Sequence, residues 1–504
     1  MERVLLITPS SNTFYTLAAP LGQAYVAAEL EGYEVYGIDI NVYRYELGMK
    51  MAKIYEVIEK IIEVYEIQYV GISILEETWK EAIELAQICK RWGCIVWAGG
   101  IMPTMFPDDI PFIFDYILRG DTEKEVGKLL RSLDDNQDIR DIVGISYQRE
   151  NRWEHNGLAV EPNCKNGVMP KREVFEKFHF GYKYNTARMI TSRGCVYRCS
   201  FCTNRRVKSN FCRRNTEDIV NEISILIEKE NIKQIIFSDD QFLGTNKEEY
   251  EEAYYIVRSI KDKLIKENVR LNFQVRADHL LRCKEKRPEL FEMLTEISLA
   301  YKDENLEAHK RIYGRAMRGV GIDIGIEAFS DSTLKYFQKD VTSKMNRECL
   351  NILKDSKIDV GVYMILYTPV VKIEEIIYEL QCYYKYYIKN GYESILLFSN
   401  LFKPLVPYKG TKIYDELLKN NKLIYEHYYN FEDDRVALFY IFMENEIIRI
   451  CERVKNVDEM YEVILNVALY CRDIKIERNS ILKRVICDYD NSNLIERIYN
   501  QYFS

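Results

Sequence analysis

Three cysteines, Cys195, Cys199 and Cys202, stand in the segment TSRGCVYRCSFCTN, separated by three and then two residues. They fall in one loop after an apolar run, so their thiolates can converge on one inorganic centre. A cubane cluster has four irons, and cysteine ligation ordinarily fills all four. Three local ligands leave one iron open, and an open position separates reactive metal sites from structural ones. The competing reading is a structural zinc, which needs a fourth ligand. The next cysteine, Cys212, is ten residues on, and no histidine lies near the motif. No later pair shows CxxC spacing, so a second cluster is not expected, and the remaining cysteines read as small buried hydrophobes.

The elements around this loop alternate strands with helices. Apolar runs at VLLIT (4–8), YEVYGIDI (33–40), YVGISI (69–74), CIVWAGG (94–100) and YILRG (116–120) are separated by amphipathic stretches. Such alternation means βαβ units and a parallel sheet. Ligands sit at the carboxyl ends of such strands, here near Pro9, Ser73, Gly99, Gly100, Thr104 and Gly120. Residues 146–184 lack periodicity and read as a linker. From 185 the alternation resumes, with strand-like runs at MITSRG, QIIFSDD, RLNFQVRAD, VGIDIGIEAF, IDVGVYMILYTP and SILLFSNLFKPL. Six βα units over 185–420 make a partial barrel, shorter than the eight-fold one. The remainder, 421–504, reads as helices with apolar faces. The expected class is α/β: a Rossmann-like domain over 1–145, a linker, a partial (βα)6 barrel and a helical C-terminal domain.

Composition narrows the partners. The net charge of −8 argues against a large nucleic-acid footprint, which needs a basic face. A local basic cluster, Arg205, Arg206, Lys208, Arg213 and Arg214, reads as a solvated loop or as a seat for an anion. The apolar stretches are too short to span a bilayer, and the N-terminus resembles neither signal peptide nor anchor. The thirteen cysteines point to a reducing, cytoplasmic setting, where metal binding outranks disulfides.

CxxxCxxC with an aromatic residue, Phe201, before the last cysteine resembles the signature of the radical S-adenosylmethionine (SAM) superfamily. The resemblance implies a [4Fe–4S] cluster on Cys195, Cys199 and Cys202 whose open iron binds SAM. Reductive cleavage then gives methionine and a 5′-deoxyadenosyl radical. It also implies a small-molecule substrate and an electron donor such as flavodoxin or ferredoxin. Ser238, Asp239 and Asp240 stand where the family often has Gly-Gly-Glu against the SAM amino group. Arg276 resembles its third-strand arginine, suited to a carboxylate, and Glu327 a residue near the SAM ribose. LYTPVVKIEE (366–375) departs from the usual Gly-x-Pro-Gly-Glu-Thr.

The first domain resembles the cobalamin-binding domain of one subclass, through APLGQAYVAAEL, WAGGIMPTMFPDDI and YILRGDTEKEV. Gly99 and Gly100 would let backbone approach a planar ring, and Ser73 would bond a nucleotide tail. No histidine precedes His155, so this domain has no histidine for a lower axial ligand. Met102, Glu76 and Glu77 depart from that subclass. The implied activity is cobalamin-dependent functionalisation, foremost methylation, of an unactivated C–H bond. Rearrangement, cyclisation or ring contraction is the alternative, and a non-catalytic corrinoid or redox sensor is the rival from outside the enzymes.

Overall fold

The computed structural model describes residues 2–11, 17–160, 164, 167–203, 211–313, 316–354, 356–391, 404–425 and 428–473. The chain divides into two compact units, Met1–Cys195 with Arg206–Asp239, and Val196–Arg205 with Asp240–Ser504.

The first unit is built on a seven-stranded sheet. Strands β1 (Arg3–Thr8), β2 (Glu34–Asp39), β3 (Tyr69–Ser73), β4 (Ile95–Gly99) and β5 (Tyr116–Leu118) are parallel, and β6 (Ile145–Arg149) and β7 (Arg152–His155) follow antiparallel. The order β2-β1-β3-β4-β5-β6-β7 puts a topological switch point at β1, where the chain reverses its direction of progress across the sheet. Side chains alternate faces with the pleat. Leu5, Ile7, Ile38, Val70, Ile72 and Val96 share one core with Ile54, Ile58, Leu85 and Ala86 of two helices. Val4, Leu6, Tyr69, Trp97 and Leu118 share the other with Ala27, Val126 and Leu129. Each large aliphatic so buried contributes about 1.5–3 kcal/mol.

Two expectations change here. The expected linker begins with β6 and β7, which extend the sheet. Their outer positions are polar, and only Trp153, Ser146 and Ile145 are buried, so no run of apolar residues announces them. Glu150 and Asn151 take positive φ (50° and 59°) in the two-residue turn, as hairpins of this type require. The thirteen cysteines are also not all thiols: Cys164 is disulfide-bonded to Cys212, with Cα atoms 5.9 Å apart. That pairing joins residues 48 apart and leaves no local spacing signal. Later in this unit β8 (Thr186–Met189) pairs in parallel with β11 (Gln234–Phe237), and β9 (Ser192–Arg193) pairs antiparallel with β10 (Cys212–Arg213).

In the second unit β12 (Arg270–Arg276), β13 (Val320–Glu327) and β14 (Asp359–Met364) form a parallel ladder. Leu271, Phe273, Val275, Val320, Ile322, Ile324 and Ile326 are buried. The alternate positions carry Asn272, Gln274, Arg276, Asp323 and Glu327, so one face of the ladder is polar. On β14 Tyr363 is 48% exposed, whereas Tyr367 beyond it is fully buried against Phe431, Phe439 and Tyr440 and serves packing. The expected sixth strand (394–405) falls largely outside the described residues, although Pro404 bridges to Tyr367. The helices Asp434–Arg453 and Val457–Asp473 supply the expected helical end, and Tyr461 stacks on Tyr384 at 3.9 Å. Among the described residues no helix is long and apolar enough to cross a membrane.

Candidate active site

Cys195, Cys199 and Cys202 are half-buried and outside any disulfide, whereas Cys89, Cys94, Cys283, Cys349, Cys382 and Cys471 are buried. Burial pushes the Cys94 and Cys382 thiols upward and Cys283 to about 12, which suits hydrophobes rather than ligands. Among the described residues no three His, Cys, Asp or Glu side chains lie close enough to hold one metal ion. A cubane does not require it, because each thiolate binds a different iron.

The approach to the loop is fixed from within the first unit. Asp239 is 2% exposed, and its Oδ1 accepts from the backbone of Thr191 at 2.6 Å and of Ser192 at 3.1 Å. Its Oδ2 accepts from the Thr191 hydroxyl, whose oxygen accepts from Arg213 at 3.0 Å. Burial pushes this carboxyl above the usual range, against the pull of Arg213 and the three donors. The side chain expected to face a SAM ammonium thus orders the backbone that leads to Cys195. Ser238 continues the strand ladder by donating its N–H to Met189, and its hydroxyl accepts from Arg188 at 3.4 Å. Arg193, two residues before Cys195, pairs with Asp121 and Glu123 at 2.6 Å each. Arg214 and Arg172 share the buried Glu222 at 2.7 and 2.5 Å. Arg213 and Arg214 are therefore structural, while Arg205, Arg206 and Lys208 lie outside the described residues.

In the second unit the loop is anchored at Ser200. Its N–H donates to Phe337 O at 2.8 Å, its hydroxyl to Tyr336 O at 2.9 Å, and its carbonyl accepts from Ile413 at 3.2 Å. A turn closes from Cys202 N–H to Cys199 O at 3.2 Å, as CxxC spacing allows. Phe201 packs edge-on against Phe337 at 5.1 Å, which makes it an anchor for the loop. Arg276 reaches Asp278, Lys339 O and Cys199 Sγ, and Lys339 in turn donates to Glu327 at 2.7 Å. Glu327 ends β13 at φ 61°, beside a register shift between Gly325 and Glu327. A non-glycine residue held there stores strain of the kind found at functional sites. Asp240 opens this unit and is half-buried.

At the carboxyl ends of β3 to β5 a cavity of ≈ 160 Å³ is lined by Ser73, Gly99, Gly100 and Gly120, four of the expected residues. Thr104 braces it, donating to Gly100 O at 2.7 Å and accepting from Gly120 N–H at 3.0 Å. Gly100 has φ 105°, and a Cβ there would lie 2.8 Å from Ile74 O, so only glycine fits. Pro9 does not line the cavity; Ser10 after it bonds Glu81 and Arg44. Gln23 and Trp97 also line it and were not anticipated. The Trp97 indole lies on Gly71, where a Cβ would come within 2.4 Å of the ring. The signal was available in VGIS beside IVWAG, but only the register Gly71↔Trp97 connects them. At ≈ 160 Å³ the cavity is smaller than an ordinary small-molecule pocket, and a larger ligand would extend beyond it.

Residues 189–381 match the radical SAM superfamily. The chain is 26% identical over 262 residues to an uncharacterised methyltransferase of Pyrococcus horikoshii, covering 48% of this chain and 54% of that protein. It is 24% identical over 349 residues to 4′-phospho-dehydrooxetanocin synthase of Priestia megaterium, covering 66% of this chain and 42% of that protein. The chain thus spans about half the length of these curated relatives. Its fold matches the cobalamin-dependent S-adenosylmethionine radical enzyme OxsB with aqua-cobalamin bound, at a TM-score of 0.69 and 17% identity over 94% of this chain and 72% of that one. It also matches the radical S-adenosylmethionine methyltransferase TsrM from Kitasatospora setae, at 0.58 and 16% over 77% and 72%.

Proposed function

We propose that this chain, whose residues 189–381 match the radical SAM superfamily, is a cobalamin-dependent radical SAM enzyme acting on a small molecule. Methylation of an unactivated C–H bond is the reaction it supports best. The observation that carries the reading is the donor set: three half-buried cysteines outside any disulfide on one anchored loop, with no fourth cysteine or histidine in the motif. When bound, a [4Fe–4S] cluster with SAM supplies a 5′-deoxyadenosyl radical, and a corrinoid supplies a transferable methyl group.

The chain's own residues then hold and orient. Cys195, Cys199 and Cys202 would each bind one iron, leaving the fourth for SAM. Asp239 and Ser200 fix the two ends of the loop, so the thiolates are presented without a large ordering cost. Glu327, held by Lys339, and Asp240 are carboxylates that would serve SAM's polar groups. Ser73, Gly99, Gly100, Gly120 and Trp97 would seat the tail of a corrinoid. A flavodoxin- or ferredoxin-type donor in a cytoplasmic setting would supply electrons.

A second reading, rearrangement, cyclisation or ring contraction, is favoured by the synthase match, which covers 66% of this chain against 48% for the methyltransferase. Anaerobic reconstitution with iron, sulfide and hydroxocobalamin, followed by desalting and an absorption spectrum, tests the cofactors. Retention of both chromophores is expected; a cluster without corrinoid would remove the cobalamin from the proposal. With a substrate in hand, S-adenosylhomocysteine alongside 5′-deoxyadenosine marks methylation, and 5′-deoxyadenosine alone marks the second reading.

A further inference from the structure

Resemblance assigns Arg276 to the carboxylate of SAM, but the guanidinium is already engaged. Nε donates to Asp278 Oδ1 at 3.0 Å, Nη2 to the Lys339 carbonyl at 2.5 Å and Nη1 to Cys199 Sγ at 3.9 Å. Its carbon lies 3.5 Å from the ring centroid of Tyr197, which sits between Cys195 and Cys199 in the motif. The Tyr197 hydroxyl is held in turn by the fully buried His279, at 2.5 Å from Nε2. Asp278 is 1% exposed and Arg276 is 7% exposed, so the cation is fixed from several sides in a dry setting. Every nitrogen of the guanidinium has an acceptor within its own unit.

We infer that Arg276 acts on the cluster through Cys199, as a charge-bearing N–H···S donor that raises the cluster's reduction potential, and that Tyr197 holds it in that plane. The inference rests on the proposed role of Cys199 as a cluster ligand. Reduction adds negative charge to the cluster and its thiolates, and a fixed cation hydrogen-bonded to one sulfur stabilises the reduced form. The face of an aromatic ring attracts a cation, so Tyr197 favours the charged guanidinium in place. Asp278 opposes part of that charge, which makes the N–H···S contact, rather than net charge alone, the lever. Arg276 thus acts on the cluster through Cys199.

The test uses reconstituted full-length protein and a potentiometric titration followed by electron paramagnetic resonance (EPR). Arg276→Gln is expected to shift the midpoint potential to a more negative value, with iron content and SAM affinity within about twofold of the parent. Arg276→Lys keeps the charge but cannot reach all three acceptors, and its shift should be smaller in the same direction. Tyr197→Leu leaves the guanidinium present but unstacked, and should also shift the potential negatively. An unchanged potential in Arg276→Gln with its cluster intact overturns the inference while sparing the proposed function. So does a tenfold or greater loss of SAM affinity, which would return Arg276 to the SAM carboxylate. If Arg276→Gln does not fold, Tyr197→Leu decides: an unshifted potential there overturns the inference. A parent protein that assembles no cluster overturns the proposed function itself.

Discussion

A closed ring of hydrogen bonds in the first unit makes a pH prediction that does not depend on any cofactor. The Asp39 N–H donates to His179 Nε2 at 3.1 Å, which fixes the histidine proton on Nδ1. Nδ1 lies 3.5 Å from the Tyr184 hydroxyl, which donates to Asp39 Oδ2 at 3.1 Å. Asn41 adds two donors to Oδ1, at 3.1 and 2.8 Å. Asp39 is 2% and His179 0% exposed. Burial pushes the Asp39 carboxyl from its ordinary 3.8 to about 6, and pulls His179 from 6.5 to about 4. The raised carboxyl stabilises the fold below pH 3.8, and that contribution is lost as pH rises through about 6. The lowered histidine stabilises the fold above pH 6.5, and that contribution is lost as pH falls through about 4. Each amounts to about 3 kcal/mol over its window. The two oppose one another, so the parent should be nearly flat between pH ~4 and ~6.5. His179→Gln should lose stability as pH rises across that window, and Asp39→Asn should gain it. Urea midpoints at four pH values from 4.5 to 7.5, followed by circular dichroism, read both slopes. Variants whose curves run parallel to the parent would refute the reasoning.

Further outcomes follow from the site. Asp239→Asn places an amide where three donors converge and should cost about 2–4 kcal/mol; chemical denaturation and iron content after reconstitution should both fall. Glu222→Gln leaves Arg172 and Arg214 without their shared buried anion, and a loss of about 3–5 kcal/mol is expected in the same assay. Gly100→Ala must adopt φ 105° and crowd Ile74 O at 2.8 Å, so about 1–3 kcal/mol of strain should appear, with lower retention of hydroxocobalamin after desalting.

The strands were legible because strands buried on both faces read as continuous apolar runs, as VLLIT and YVGIS do. The hairpin Ile145–His155 was not, since it is a sheet edge with polar residues on its outer face. The cysteine motif was legible from spacing alone. The partners of the charged residues around it were not, because a strand-end carboxylate looks the same whether it meets a ligand or a backbone. Asp239 meets Thr191 and Ser192, 48 and 47 residues away, and Arg276 meets Cys199, 77 away. For the crevice, Ser73, Gly99, Gly100 and Gly120 stood out at strand ends, while Trp97 reads as a core strand residue until its register with Gly71 is known.

If Cys195, Cys199 and Cys202 hold a cluster with one open iron for SAM, that iron must respond to SAM. EPR of the reduced, reconstituted protein before and after addition of SAM reads this response. About four irons per chain and a spectrum that changes on adding SAM are expected, with the signal lost in Cys199→Ala. A spectrum indifferent to SAM, or a cluster that survives loss of Cys199 unchanged, would contradict it.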